Sequence, residues 1–302
     1  MIPKPLIEEY RPQSFDEVVG VPQEIVDMVK NKNMPHLLFQ GPPGTGKTTV
    51  AKIIAKELDA EILLLNASKD RGIDVIRNQI YPFTRVMNDK LKIVFLDECD
   101  YTTPQFQVSL RNLMEEASDD TRFIGTCNYP EKIIPELKSR YTIFTFKNHK
   151  KEDIVERLKF IVASEQIKIE SDDLFGEIAD IYKDDIRGMV NFLQKNKYST
   201  ITKDNIEKVS VSALDVMKNV KNIGWSKTRA DLFNYDYLDH AYMVKEMDKI
   251  IFYNSKIDDE KKRQFNAICC RYMDMMTRSM DKEIIFAGFM GEIEPVLRVL
   301  GK

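Results

Sequence analysis

Along its first 145 residues the chain alternates two kinds of hydrophobic pattern. Short, almost wholly apolar runs occur at 36–40, 61–65, 92–96, 122–126 and 141–145. Strands buried on both faces read this way. Between them the pattern predicts helices at about 48–59, 72–88, 104–117 and 131–138. Five such strands alternating with helices predict a parallel five-stranded sheet covered on both faces. After residue 146 the strand pattern disappears. Short helices are expected near 151–165, 171–182, 185–197 and 203–208. Asp153, Asp172 and Asp204 lie near their starts, where a carboxylate suits the helix dipole. From about 211 onward the pattern is helical to the end, with longer elements near 239–254 and 258–280. This last part is rich in Met and aromatic residues: beside Leu232 stand Phe233, Tyr235, Tyr237, Met273, Met275, Met276, Met280, Phe286, Phe289 and Met290. Methionine at helical spacing makes a core or an adaptable interface.

A length of 302 residues accommodates two or three domains. The pattern divides it into 1–147, 148–210 and 211–302. Apolar and charged fractions of 43% and 31% are those of an ordinary folded chain. The 45 Lys and Arg nearly balance the 48 Asp and Glu, for a net charge of −3. That excludes a uniformly basic nucleic-acid binder and leaves room for a local basic patch. No stretch approaches the ~20 apolar residues of a membrane span, and the first residues lack the apolar run of a signal peptide. A soluble, intracellular protein with no membrane partner is expected. Cys99, Cys127, Cys269 and Cys270 show no metal-ligand spacing and read as thiols in a reducing compartment.

The first chemical signal is Gly41-Pro42-Pro43-Gly44-Thr45-Gly46-Lys47-Thr48, which fits G-x-x-x-x-G-K-[ST] between a strand and the helix opening at Thr49. Its glycines, Gly44 and Gly46 among them, let backbone N–H groups of the Gly44–Thr49 turn point inward at phosphate oxygens, and the helix N-terminus adds positive charge. Lys47 is placed to bridge the terminal phosphates and the Thr48 hydroxyl to hold Mg²⁺. The second signal is the strand end Asp97-Glu98-Cys99-Asp100. Asp97 is placed to support the metal, and Glu98 to polarise an attacking water. Together they point to an ATP hydrolase using Mg²⁺.

At this point the chain resembles the AAA+ sliding-clamp loaders, the replication factor C small subunits and the ATPase subunits of T4-like phage loaders. Glu8-Glu9-Tyr10-Arg11-Pro12, with Phe15 to Gly20, resembles the family's N-terminal box, which implies that Glu9, Tyr10, Arg11 and Val19 lie at the adenine. Phe123-Ile124-Gly125-Thr126-Cys127-Asn128-Tyr129 resembles the sensor strand, which makes Asn128 the residue that holds the hydrolytic water. Ser139-Arg140-Tyr141 resembles the Ser-Arg-Cys motif with Tyr in place of Cys, which makes Arg140 an arginine finger acting in trans on a neighbour's ATP. Asp185-Ile186-Arg187-Gly188 resembles the second sensor, with Arg187 reaching the γ-phosphate.

The resemblance also implies where DNA would lie. Between Ser68 and Lys92 there are six basic residues and three acidic ones. Arg71, Arg77 and Arg85 are the candidates for sequence-independent phosphate contacts to primer–template DNA. Gln107 and Arg111, on the next helix, are candidates for coupling that contact to Glu98.

The expected architecture is therefore an α/β P-loop AAA+ domain, a small helical lid and an all-α collar. The expected partners are a sliding clamp, primer–template DNA and the other subunits of a pentameric ring at the replication fork. Two rival readings stay open: another DNA-associated AAA+ motor, such as a helicase or branch-migration ATPase, and a ring subunit that keeps the fold without turnover.

Overall fold

In a computed structural model, the described residues are 4–87, 89–117, 120–147, 149–207, 213–233, 238, 240–255, 257–279 and 281–299. Five parallel strands, β1 (Leu37–Gln40), β2 (Glu61–Asn66), β3 (Lys92–Asp97), β4 (Thr121–Cys127) and β5 (Thr142–Thr145), lie in the order β2-β3-β4-β1-β5. The apolar runs have a strand's period of two with both faces buried. Leu38, Val94, Leu96 and Phe123 face one core, and Leu37, Phe39, Ile93, Phe95 and Ile124 face the other. Each of these fully buried side chains contributes about 1.5–3 kcal/mol.

The second core is covered by α2 (Gln23–Lys30) and α3 (Lys47–Glu57), through Ile25, Val29, Val50, Ala51 and Ile54. Neither α2 nor the short α1 (Leu6–Glu9) was among the predicted elements. The first core is covered by a helical run from 73 to 85 and later by α6 (Pro104–Glu116), whose Phe106, Leu110, Leu113 and Met114 face inward. Thr103 caps α6 by accepting the Phe106 N–H at 3.2 Å.

Two predicted helices are broken, and proline explains both. The stretch expected at 72–88 is α4 (Ile73–Val75), a π-turn (Ile76–Ile80) and α5 (Tyr81–Arg85). Pro82 has no N–H to give to the preceding turn and crowds it, so the helix widens just upstream. The stretch expected at 131–138 is a 3₁₀ turn (Pro130–Lys132) and α7 (Pro135–Lys138). Pro135 holds Ile134 extended, at φ −62° and ψ 144°, and starts a new helix.

Three helices follow β5: α8 (Lys151–Ser164), α9 (Asp173–Tyr182) and α10 (Ile186–Lys195). They fall in the same compact unit as the sheet, which runs to Thr200. The second unit, from Ile201, holds α11 (Lys203–Glu207), α12 (Ala213–Ile223), α13 (Trp225–Leu232), α14 (His240–Phe252), α15 (Asp259–Arg278) and α16 (Lys282–Val299). Its core joins Val220, Val244, Met247, Phe265, Phe286, Phe289 and Met290. Leu232 and Met276 are buried as well, whereas Phe233 and Met275 are exposed. Tyr235, Tyr237, Met280 and the expected boundary near 210 lie outside the described residues. Cys99, Cys127 and Cys269 are buried free thiols, and Cys270 is exposed. No described helix is long and apolar enough to cross a membrane.

Candidate nucleotide site

The carboxyl ends of β1, β3 and β4 meet beside one crevice, the place where open parallel sheets bind ligands. The turn after β1 supplies its floor. Gly44 and Gly46 have φ of +83° and +90°, a conformation that L side chains rarely adopt. A Cβ on Gly44 would also meet the Asp185 carboxylate at 1.9 Å, so this turn and the start of α10 are packed too closely for any other residue.

Lys47, at the start of α3, is 7% exposed. Its Nζ donates to the Gly41 and Pro42 carbonyls at 2.8 and 2.6 Å and to Asn128 Oδ1 at 3.0 Å. Burial lowers its pKa to about 8. The Thr48 hydroxyl donates to Asp97 Oδ1 and Oδ2 at 3.0 and 3.2 Å. Asp97 at the end of β3 is thus joined to the phosphate loop after β1, past the one intervening strand β4. A hydroxyl and a carboxylate at this spacing are hard oxygen donors of the kind Mg²⁺ takes alongside substrate phosphates, so the residues present fit that ion.

Glu98 follows with φ +58° and ψ 43°, left-handed although it is not glycine. Such a backbone costs about 1–2 kcal/mol and persists only where its surroundings enforce it. The Glu98 N–H donates to Thr126 Oγ1 at 2.9 Å, and its carbonyl accepts the Tyr101 N–H at 3.0 Å. Beneath lie Cys99, Cys127 and the buried hydroxyl of Tyr141; burial pushes the Tyr141 phenol well above its usual range.

The opposite wall comes from the N-terminal segment and the later helices. Tyr10, Arg11, Val18 and Val19 line one side, Arg157 on α8 another, and Ile186, Arg187 and Val190 on α10 the third. Asp185 caps α10 by accepting the Gly188 N–H at 2.9 Å, which sets Arg187 in the helix's first turn beside the pocket. The N-terminal segment is tied to these helices in three places. The Leu6 N–H donates to Gln194 Oε1 at 2.7 Å, Arg157 donates to the Tyr10 carbonyl at 2.7 Å, and the Tyr10 hydroxyl donates to Glu165 at 2.6 Å. Lys197 and Tyr10 together hold the Glu165 carboxyl below its usual range.

The structure therefore brings together Tyr10, Arg11, Val19, Gly44, Thr45, Gly46, Lys47, Thr48, Thr49, Asp97, Glu98, Asn128 and Arg187 around one crevice. Glu9 is exposed and lines an adjoining outer groove instead. Thr126 and Asp185 fall inside the two sensor motifs but were given no role of their own there, and Arg157 was not singled out at all; the fold brings all three to the site.

A model of the ATPase family associated with various cellular activities (AAA) matches residues 37–149. The replication factor C small subunit of Staphylothermus marinus is 38% identical, over 95% of this chain and 93% of its own length. The chain belongs to the replication factor C small-subunit family. Another member, from Methanococcus vannielii, is 45% identical over 63% of the chain and 64% of its own length. As a member, the chain is an AAA+ ATP hydrolase associated with DNA replication. A solved structure of Thermotoga maritima RuvB matches with a TM-score of 0.58 at 20% identity, over 74% of this chain and 85% of that one. This likeness concerns the fold alone.

The remaining predicted residues of this family member lie away from the crevice. Arg140, after α7, is ion-paired with Glu115 of α6 at 2.5 Å. Arg71, two residues before the 73–85 run, and Arg77, in its π-turn, are exposed. Arg85 pairs with Glu116 at 3.1 Å and lies over the Tyr81 ring at 5.0 Å. Gln107 is buried. It accepts the Ile134 N–H at 2.8 Å and donates to the Lys132 carbonyl at 3.1 Å, while Arg111 is bonded to neighbouring Asn112.

Proposed function

We propose that this chain is an ATPase subunit of a sliding-clamp loader, acting in a pentameric ring at the replication fork. ATP binding would favour the state that opens the clamp and admits primer–template DNA, and DNA-triggered hydrolysis would release the closed clamp. Residues 148–210 would serve as the lid and 211–302 as the collar. The observation that carries this reading is the convergence of Lys47, Thr48, Asp97, Glu98 and Asn128 on one crevice in a chain related to replication factor C over 95% of its length.

In this reading Lys47 exchanges the loop carbonyls for phosphate oxygens, and its ammonium meets charge that builds up in transfer. Thr48 and Asp97 hold Mg²⁺, which supplies charge neutralisation at the phosphates when bound. Glu98 accepts a proton from the attacking water, and Asn128 orients that water. Arg187 contacts the γ-phosphate from α10. Arg140 lends its guanidinium to a neighbour's site, a contribution worth about 10³–10⁵ in rate in related phosphoryl-transfer sites. Tyr10, Arg11 and Val19 receive the adenine, with Glu9 at the outer rim. Arg71, Arg77 and Arg85 track DNA phosphates, and Gln107 and Arg111 relay that contact.

The test is to co-purify the chain with its partner subunits and candidate clamps, then to measure ATP turnover with and without primed DNA. Turnover raised by clamp and primed DNA together is expected. Turnover indifferent to both would overturn the reading.

A further inference from the structure

Asp97 and Glu98 are adjacent in sequence and have different tasks in the proposed reaction. Something must set one against the other. The register places Leu96 beside Gly125, so the next residue on each strand, Asp97 and Thr126, are neighbours across β3 and β4. Thr126 is 2% exposed, so water does not compete for its hydroxyl. That hydroxyl has one proton to give, and gives it to Asp97 Oδ1 at 2.6 Å. Its lone pairs are then left for the Glu98 N–H at 2.9 Å. The direction is fixed by chemistry, because an ionised carboxylate only accepts and a backbone N–H only donates. Asp97 Oδ1 accepts from Thr48 as well, at 3.0 Å. A continuous chain of hydrogen bonds thus runs from the phosphate loop through Thr48, Asp97 and Thr126 to the left-handed backbone of Glu98.

The geometry points to Thr126 as a positioning residue for hydrolysis: its hydroxyl ties the metal-supporting carboxylate of Asp97 to the backbone that aims Glu98. The inference rests on the reading of Glu98 as the group that activates water. Removing the hydroxyl takes from the Glu98 N–H the partner it has in the structure, and its strained backbone loses the bond that faces β4. Nucleotide contacts from Lys47 and the loop are unaffected, so binding and turnover separate.

The test uses the full chain assembled with its partner subunits, in single-turnover ATP hydrolysis and nucleotide-binding titrations. Thr126→Val keeps the shape and removes the hydroxyl. It is expected to lower the hydrolysis rate at least about tenfold with nucleotide affinity within about threefold. Thr126→Ser is expected to restore the rate to within about threefold of the original, since it returns the hydroxyl. Thr126→Ala carries the same expectation as Val and replaces it if the Val variant does not fold by thermal melting. The decisive readout is Thr126→Val combined with Glu98→Gln. If Thr126 acts through Glu98, the double variant is no slower than Glu98→Gln alone. An unchanged rate in Thr126→Val, or a penalty that multiplies onto that of Glu98→Gln, would overturn this inference alone. A Glu98→Gln chain of ordinary speed would overturn the reading of Glu98 beneath it.

Discussion

Arg140 and Glu115 are held together at 2.5 Å, so the guanidinium lies against α6 and not in its own chain's nucleotide crevice. Arg140→Ala is expected to leave ATP binding by the same chain intact and to depress hydrolysis at the neighbouring site. Complexes assembled from mixed wild-type and variant chains measure this; equal turnover at every mixing ratio would exclude a role in trans. Both partners are about half exposed, and such pairs contribute about 0–1 kcal/mol. Glu115→Gln should therefore shift the melting temperature little while leaving Arg140 without its intrachain partner.

Lys47 has a pKa near 8 because it is buried among carbonyls. Phosphate oxygens favour its charged form, so nucleotide binding raises that value. Binding above about pH 8 then takes up a proton, and affinity falls as pH rises through that range. Calorimetric titrations in buffers of different ionisation enthalpy measure the uptake. Binding at pH 9 with no proton linkage would contradict it.

His36 accepts the Phe123 N–H on Nδ1 at 3.1 Å, and burial together with nearby Arg122 lowers its pKa from 6.5 to about 4. The folded state therefore favours the neutral ring. Its stabilisation is complete above about pH 6.5 and is lost as pH falls toward 4. A shift of this size corresponds to at most about 3 kcal/mol, and partial exposure reduces it to about 1–2. His36→Gln keeps an acceptor and does not titrate. Denaturant melts should show a shallower loss of stability between pH 6.5 and 4 in the variant than in the parent.

Lys92 is fully buried, and its Nζ donates to the Thr84 and Val86 carbonyls at 2.8 Å each and pairs with Asp120 at 2.7 Å. It closes the C-terminal end of α5, whose last carbonyls otherwise lack partners. Lys92→Met fills the same space and strips three acceptors of their donor. A loss of about 2–4 kcal/mol is expected by denaturant unfolding. A change below about 0.5 kcal/mol would mean that water replaces the ammonium.

The sheet and the phosphate loop were legible because each rests on local pattern. Strands buried on both faces are continuous apolar runs, and the loop between β1 and α3 keeps its glycines at fixed offsets. The breaks at Pro82 and Pro135 were also written in the chain. Reading them required weighing one missing N–H above a helical period of a dozen residues. The roles of Thr126 and Asp185, although both lie in quoted motifs, and the presence of Arg157 were not legible. Thr126 becomes a neighbour of Asp97 only through the β3–β4 register. Arg157 reaches the crevice because α8 packs beside the N-terminal segment, and Asp185 because Gly44 has no side chain. Arg140 is the converse case, since its proposed partner belongs to another molecule.

The three bonds from Leu6, Tyr10 and Arg157 fasten the segment around 6–10 to α8 and α10, though some 150 residues separate them in sequence. The crevice is consequently a vice with two jaws: the sheet with its loop, and the helical trio wearing residues 6–12 as a liner. Trimming that liner would loosen the helical jaw as a whole, so a truncation remote from every phosphate contact would register as weakened grip on the entire nucleotide.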